Sequence, residues 1–264
     1  MVFSKPVRRI LRRPYRVLSQ AWHSPELKGS MWERSQSYWD HYARTWSPED
    51  VAVDDSRITD DNKSSALQYL GDEWGQKEDV DRVVAEYITP YISLDTVAGE
   101  IGSGGGRITG RVAGLVKELH CFDISAEMLK RARAATAVHP NVHFHLLTKP
   151  RLGGSFKEKF DFFYSFDVFV HVDIIQVWKY FEEIHAALKP GGRAFLHTTN
   201  LAAPGGWQNF RSQKGGHPND HHFISPEIVD IFAARSNFRI IKRSEADSTN
   251  FYLNRDYLFV LEKA

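Results

Sequence analysis

Glu100-Ile101-Gly102-Ser103-Gly104-Gly105-Gly106-Arg107 follows a short apolar run, Thr96-Val97-Ala98, and precedes Ile108 to Val116, which has helical spacing. Strand, glycine turn and helix in that order make a place where backbone N–H groups and a helix N-terminus meet a ligand. The pattern is not that of a dinucleotide fold, because counting from Gly102 the third glycine of G-x-G-x-x-G falls on Arg107. Nor is it a phosphate loop, which would end in Gly-Lys-Ser/Thr. The spacing is acid-x-Gly-x-Gly-x-Gly with Glu100 on the strand, and a carboxylate there suits a cationic ligand better than a pyrophosphate.

The next apolar run, Leu119-His120-Cys121-Phe122, ends at Asp123, where a carboxylate can accept hydrogen bonds from ribose hydroxyls. Ser125 then stands as the cap of a helix beginning Ala126-Glu127-Met128. Together these residues resemble the class I S-adenosylmethionine-dependent methyltransferases, over roughly residues 80 to 264. The resemblance implies S-adenosyl-L-methionine as cofactor, with Gly102, Ser103, Gly104 and Gly106 beside its methionine part and Glu100 near its amino group. It also implies Asp123 on the ribose, and Ile124 and Met128 flanking the adenine.

Downstream, Asn141-Val142-His143-Phe144-His145-Leu146 alternates as a third strand. Many similar methyltransferases follow it with an aspartate that bonds the adenine amino group. Here Leu147-Thr148 stands instead, so Thr148 or a backbone carbonyl takes that part. Phe160 to Ser165 is almost wholly apolar, as expected of a central parallel strand. Ligands collect at the carboxyl ends of such strands, which puts Ser165, Phe166 and Asp167 beside the cofactor and makes Asp167 and His171 candidate catalytic residues. A helix over Ile174 to Leu188 and the turn Lys189-Pro190-Gly191-Gly192 lead to the strand Arg193 to His197, whose terminal histidine is a second candidate base. Residues 201–222, with Trp207, His217, Asp220, His221 and His222, read as a polar lid loop over the substrate. Those lid groups are of metal-ligating type, but no metal ligand set is assigned. Ser225-Pro226-Glu227 opens a capped helix, and Phe238 to Ile241 and Tyr257 to Leu261 finish as an antiparallel edge hairpin.

Upstream, residues 31–90 form an aromatic, helical lobe with Trp32, Tyr38, Trp39, Tyr42 and Trp46, then an acidic segment holding Asp54, Asp55, Asp60 and Asp61. Flat rings beside carboxylates suit a sugar, although most of these aromatics are expected to dock the lobe on the core. Asp79 to Ile88 reads as an amphipathic helix. Residues 1–30 are a basic arm. Lys5, Arg8, Arg9, Arg12, Arg13 and Arg16 stand there without an acid before residue 23, in a chain of 34 Lys and Arg against 33 Asp and Glu. The body is therefore mildly acidic, which argues against a nucleic-acid partner. The arm suits peripheral contact with anionic lipid, and the same composition fits a flexible or targeting segment. One cysteine, Cys121, permits no internal disulfide, and a reducing, cytoplasmic setting is expected.

The fold expected is α/β and Rossmann-like. A seven-stranded, mostly parallel sheet has helices on both faces and an antiparallel last strand, with the methyltransferase domain over residues 91–264. The function expected is methyl transfer from S-adenosylmethionine to a small molecule, an oxygen of a sugar or glycoconjugate. A lipid-like or quinol-like acceptor at a membrane surface is the alternative enzyme, and a non-catalytic binder of the cofactor is the alternative class. Oligomeric state is not legible.

Overall fold

A computed structural model of the chain describes residues 28–47, 70–71, 74–75 and 77–264; residues 1–27 of the basic arm and the acidic segment around Asp54 to Asp61 lie outside them. Strands β1 (Val97–Ile101), β2 (Glu118–Asp123), β3 (Val142–Leu146), β4 (Phe160–Ser165), β5 (Leu188–Thr199), β6 (Phe238–Arg243) and β7 (Asp256–Lys263) form one sheet. Their order is β3-β2-β1-β4-β5-β7-β6. β1 pairs in parallel with both β2 and β4, and β7 runs antiparallel between β5 and β6. The chain thus reverses direction across the sheet at β1/β4, and the glycine turn leaves the end of β1 at that switch point, where open α/β sheets bind ligands.

The central strands are buried on both faces, which is why Phe160 to Ser165 shows no alternation. One face packs Phe163, Phe181, Leu196 and Phe259 beneath α5 (Ile174–Ala187) and α7 (Pro226–Arg235). The other packs Ala98, Phe162, Phe195 and Val260 against α2 (Lys77–Tyr87). α4 (Ala126–Ala135) begins as expected, with the Ser125 hydroxyl accepting from Met128 N at 3.0 Å. α5 is capped by Asp173, whose carboxylate accepts from the N–H groups of Ile175 and Gln176.

Three local expectations are corrected. The segment after the glycine turn forms only one α turn, α3 (Thr109–Val112), before a 3₁₀ turn at Ala113–Leu115, because Gly110 and Gly114 weaken a longer helix. Lys189 to Gly192 is part of β5 as a bulge: its pairing with β4 jumps from Phe160↔Leu188 to Phe162↔Arg193. Ser225 precedes α7 in extended conformation without a capping hydrogen bond, leaving Pro226 at the first turn as the starting signal.

The aromatic lobe is held by α1 (Met31–Thr45), which starts with a full capping box between Ser30 and Glu33. α1 lies on α4 through Tyr42, Trp46, Leu70 and Met128, a small cluster of its own. Asp40 fixes the angle by accepting hydrogen bonds from the Ser125 hydroxyl and from Glu127 N. Burial of Tyr42 and Trp46 shows why most of the aromatic run is packing surface. Trp39 instead reaches from the lobe cluster to His171, and Tyr38 meets His217 of the segment at residues 201–222, which is no open loop. Its first half is α6 (Pro204–Ser212), and its second half folds back over the end of β4.

Candidate active site at the carboxyl ends of β1 and β4

The glycines do different work. Gly104 takes φ +52°, and a Cβ there would meet nothing within 4 Å, so this backbone opens onto free space. Gly106, at φ +98°, would press a Cβ to 3.2 Å from the Ala132 backbone, so it is a close-packing position against α4. The space in front of the turn is a cavity of about 50 Å³ lined by Leu70, Trp74, Glu100, Ser103, Phe166 and Asp167. The Ser103 hydroxyl is buried there without a hydrogen-bond partner among the described residues. A buried hydroxyl so placed fits a polar atom of a ligand.

Glu100 is fully enclosed at the end of β1. It accepts a 2.6 Å hydrogen bond from Thr109 Oγ1, and Cys121 Sγ is 3.5 Å away. Burial raises its carboxyl to about 7, only partly opposed by those hydrogen bonds. No cation pairs with it among the described residues. Asp123, also buried and raised by burial to about 6, accepts from Gly104 N at 2.9 Å and from Ser125 N at 2.8 Å, one on each oxygen. The backbone N–H of Ile124 also favours its ionised form. The Gly104 contact ties the glycine turn to the end of β2.

The remaining candidates divide. Ile124 is half-buried and its carbonyl accepts from Gln36 Nε2 at 3.0 Å, so α1 roofs this side. Met128 is already covered by the lobe cluster. Thr148 is exposed and lines a separate groove of about 600 Å³ beyond the end of β3, together with Phe122, His145 and Phe156. Ser165 donates to the Ile101 carbonyl at 3.1 Å and ties β4 to β1. Phe166 stacks on His197, ring centroids 4.9 Å apart.

Asp167 adopts φ +62°, a left-handed conformation that a non-glycine residue keeps only when its surroundings enforce it. They do. Its N–H donates to His197 Nδ1 at 3.0 Å, and its carboxylate takes Arg107 Nη2 at 3.0 Å, with Tyr252 Oη at 3.4 Å and Arg255 Nη2 at 4.0 Å. Burial alone would raise the Asp167 carboxyl, but the guanidinium groups of Arg107 and Arg255 hold it down at about 2. Arg255 is forked onto Asp256, whose Oδ2 also lies 3.1 Å from His197 Nε2. Arg107, Tyr252, Arg255 and Asp256 were not singled out from the sequence. The only signal was the oddity of an arginine where a third fingerprint glycine would stand.

His197 is fully enclosed, and its Nδ1 lone pair is spent on the Asp167 N–H, so it has none to abstract a proton. His171 differs. It sits on a 3₁₀ turn, Phe169–His171, just past β4, with Nδ1 3.3 Å from the Asp220 carbonyl. A carbonyl can only accept, so Nδ1 carries the proton and Nε2 keeps a basic lone pair. Burial lowers its pKa despite the nearby Asp167, which keeps the ring neutral at neutral pH. Trp39 from the lobe and His221 from the lid flank it, at ring-centroid distances of 5.6 and 5.0 Å. The lid is pinned by backbone bonding of His222 N to Val170 O at 2.7 Å and by His217 against Tyr38. His217, Asp220, His221 and His222 do not converge as a metal ligand set.

Residues 99–192, which contain this turn and the β4 end, match the family model described as a methyltransferase domain. No curated protein matches the chain in sequence. Among solved structures, the chain is similar to the N-methyltransferase NodS from Bradyrhizobium japonicum, in complex with S-adenosyl-L-homocysteine. The TM-score is 0.54 at 15% identity, over 71% of this chain and 86% of that one. An S-adenosylmethionine-dependent methyltransferase from Methanosarcina mazei aligns with TM-score 0.52 at 18% identity, over 67% of this chain and 97% of that one. One from Mesorhizobium loti aligns with TM-score 0.52 at 18% identity, over 66% and 93%. The chain thus carries a methyltransferase-domain match over residues 99–192 and, with its 3-2-1-4-5-7-6 sheet, shares the fold of S-adenosylmethionine-dependent methyltransferases.

Proposed function

We propose that this chain methylates a hydroxyl oxygen of a small molecule, a sugar or glycoconjugate, with His171 as general base. S-adenosylmethionine supplies an electrophilic methyl group on a sulfonium. Glu100 would hold its ammonium, Asp123 its ribose hydroxyls, and the unpartnered Ser103 hydroxyl another polar atom of the chain between them. The orphaned Ser103 hydroxyl and the open side of Gly104 support that fit.

The observation that carries the oxygen reading is the neutral His171, locked as the Nδ1–H tautomer at the carboxyl end of β4. An alcohol keeps its proton until the O–C bond forms, so a base at that moment matters; an amine lone pair needs none. His171 Nε2 accepts the hydroxyl proton as the methyl group moves to oxygen. Asp167 and His197 are positioning residues: ionised Asp167 favours the imidazolium that results, and His197 holds Asp167 in its left-handed conformation. Tyr38 beside His217, and Trp39 beside His171 though also packed on the lobe cluster, offer ring faces to a pyranose. Release of S-adenosylhomocysteine across a panel of sugars, quinols and amines tests the reading. Turnover of amines alone would remove it.

The acidic groups give two further expected results. Asp123→Ala should weaken cofactor binding by calorimetry through loss of charge-assisted hydrogen bonds contributing ~1.5–3 kcal/mol each before water compensates. Unchanged affinity in a folded variant would refute the ribose role. Because Glu100 titrates at about 7, affinity for a cationic ligand should fall as pH drops below that value, by about tenfold per unit at the limit. Glu100→Gln should flatten this dependence. For folding the sign is the reverse: a raised carboxyl stabilises the protonated form, so stability is lost as pH rises through about 7.

A further inference from the structure

The face of β2 and β3 that points away from α4 carries four groups the methyl-transfer site does not use. Glu118 and His120 share this face because side chains alternate along a strand. Parallel pairing sets His143 directly beside His120, and His145 beside Phe122. One ligand atom each from Glu118, His120 and His143 lies within 4.8 Å of the others, the sole such group of three among the described residues. His120 Nε2 is already 3.3 Å from Glu118 Oε2.

An imidazole buried against Phe156 and Phe160 is an expensive choice where the same face otherwise holds phenyl rings. The connection from β3 to β4 explains the open side. It contains a single 3₁₀ turn, Gly154–Phe156, and no α-helix to cover the face, so His143 stays exposed. His120 Nδ1 lies 2.9 Å from His145 Nε2. A carboxylate only accepts, so without a metal His120 Nε2–H donates to Glu118 and Nδ1 accepts from His145; a metal on Nε2 displaces that proton, and Nδ1–H then donates to His145, the arrangement by which outer groups orient ligating histidines.

We propose that Glu118, His120 and His143 bind a zinc-type divalent cation, with water completing the tetrahedron and His145 orienting His120. Two imidazoles and one carboxylate are a suitable donor set for that ion. Closing on it needs the donor atoms about 3.3–3.5 Å apart, which rotation of the exposed His143 and half-exposed Glu118 side chains supplies. Lys159, with Nζ 3.7 Å from Glu118 Oε2, is the competing cation and is displaced on binding. The site lies in the first half of β2, with His120 three residues and about 10 Å from Asp123, so its role is to staple the edge strand β3 to the sheet rather than to touch substrate.

The test is titration of Co²⁺ into tag-free, chelator-stripped full-length protein, followed by thermal unfolding with and without Zn²⁺. Expected are one Co²⁺ per chain with visible d–d absorption and a rise in Tm with Zn²⁺. His143→Ala, an exposed substitution, and Glu118→Gln should each abolish both signals. His145→Ala should weaken binding by about 10–100-fold. A His217→Ala/His221→Ala variant should bind as the parent does. The proposal is overturned if no stoichiometric Co²⁺ binds, if binding survives His143→Ala, or if only the lid variant abolishes it.

Discussion

His171→Ala should lower kcat by ~10²–10⁴-fold, the usual contribution of a positioned general base, with little change in cofactor affinity. The reason is the single basic lone pair at the mouth of β4: Nδ1 is committed to the Asp220 carbonyl, and Nε2 is left for the acceptor. His171 is held neutral by burial, so the parent's acid limb should lie below the ordinary imidazole value of about 6.5. Activity is then lost as pH falls through it. In the variant that limb should vanish, and rate should climb with pH as more acceptor ionises in solution. Pre-steady-state rates over the pH range, with cofactor affinity measured in parallel, separate these effects. Near-normal kcat in His171→Ala would sink the base assignment, and with it the argument for oxygen over nitrogen.

Arg107→Met should destabilise the fold by ~3–5 kcal/mol, because it strands the Asp167 carboxylate in the interior. Both partners are nearly enclosed, 7% and 10% exposed at the side chain, and the remaining cation near Asp167, Arg255, stands 4.0 Å away and is already forked onto Asp256. Arg107 also donates to the Gly71 carbonyl at 2.7 Å, so the same substitution loosens the lobe from the glycine turn. The sign with pH follows from the depressed carboxyl. Asp167 stabilises the fold fully above the unfolded-state value near 4, and this is lost as pH falls towards about 2. The deficit of Arg107→Met should therefore shrink in acid. Adding Asp167→Asn should recover part of it at neutral pH, since a neutral amide leaves no stranded charge. Urea unfolding of the parent, both single variants and the double variant decides this. A loss under about 1 kcal/mol in Arg107→Met would mean that water or a rearranged Arg255 compensates.

Much of the fold was legible because its signals are local. The acid-x-Gly-x-Gly-x-Gly turn, the Asp123 strand end, the Ser125 cap and the unbroken apolar run at Phe160 each depend on neighbours within a few residues, and each element stands where the chain announced it. The elements that differed did so through short-range competition that pattern alone misweighs: Gly110 and Gly114 cut α3 short, and the Lys189–Gly192 turn was absorbed into β5 as a bulge. Glu100 and Asp123 could be named from the sequence, because strand ends beside a glycine turn leave few other places for a carboxylate.

What tertiary structure decided is which of several equivalent residue types has a free atom. His171 and His197 are both strand-end histidines in the sequence; only packing shows that one spends its lone pair on Asp167 N while the other keeps Nε2. Arg107 and Asp167 are 60 residues apart, and nothing in either segment foretells a buried pair. Arg255 and Asp256 reach the same network from the last strand, and Asp40 reaches α4 from the lobe. Glu118, His120 and His143 come together only through the register of β2 on β3, which sequence periodicity fixes for each strand separately but not between them. The chain's order of residues therefore determined the sheet, the turn and the carboxylates that face it. Burial, register and long-range pairing determined which charges are neutralised and which of the two strand-end imidazoles accepts a backbone N–H.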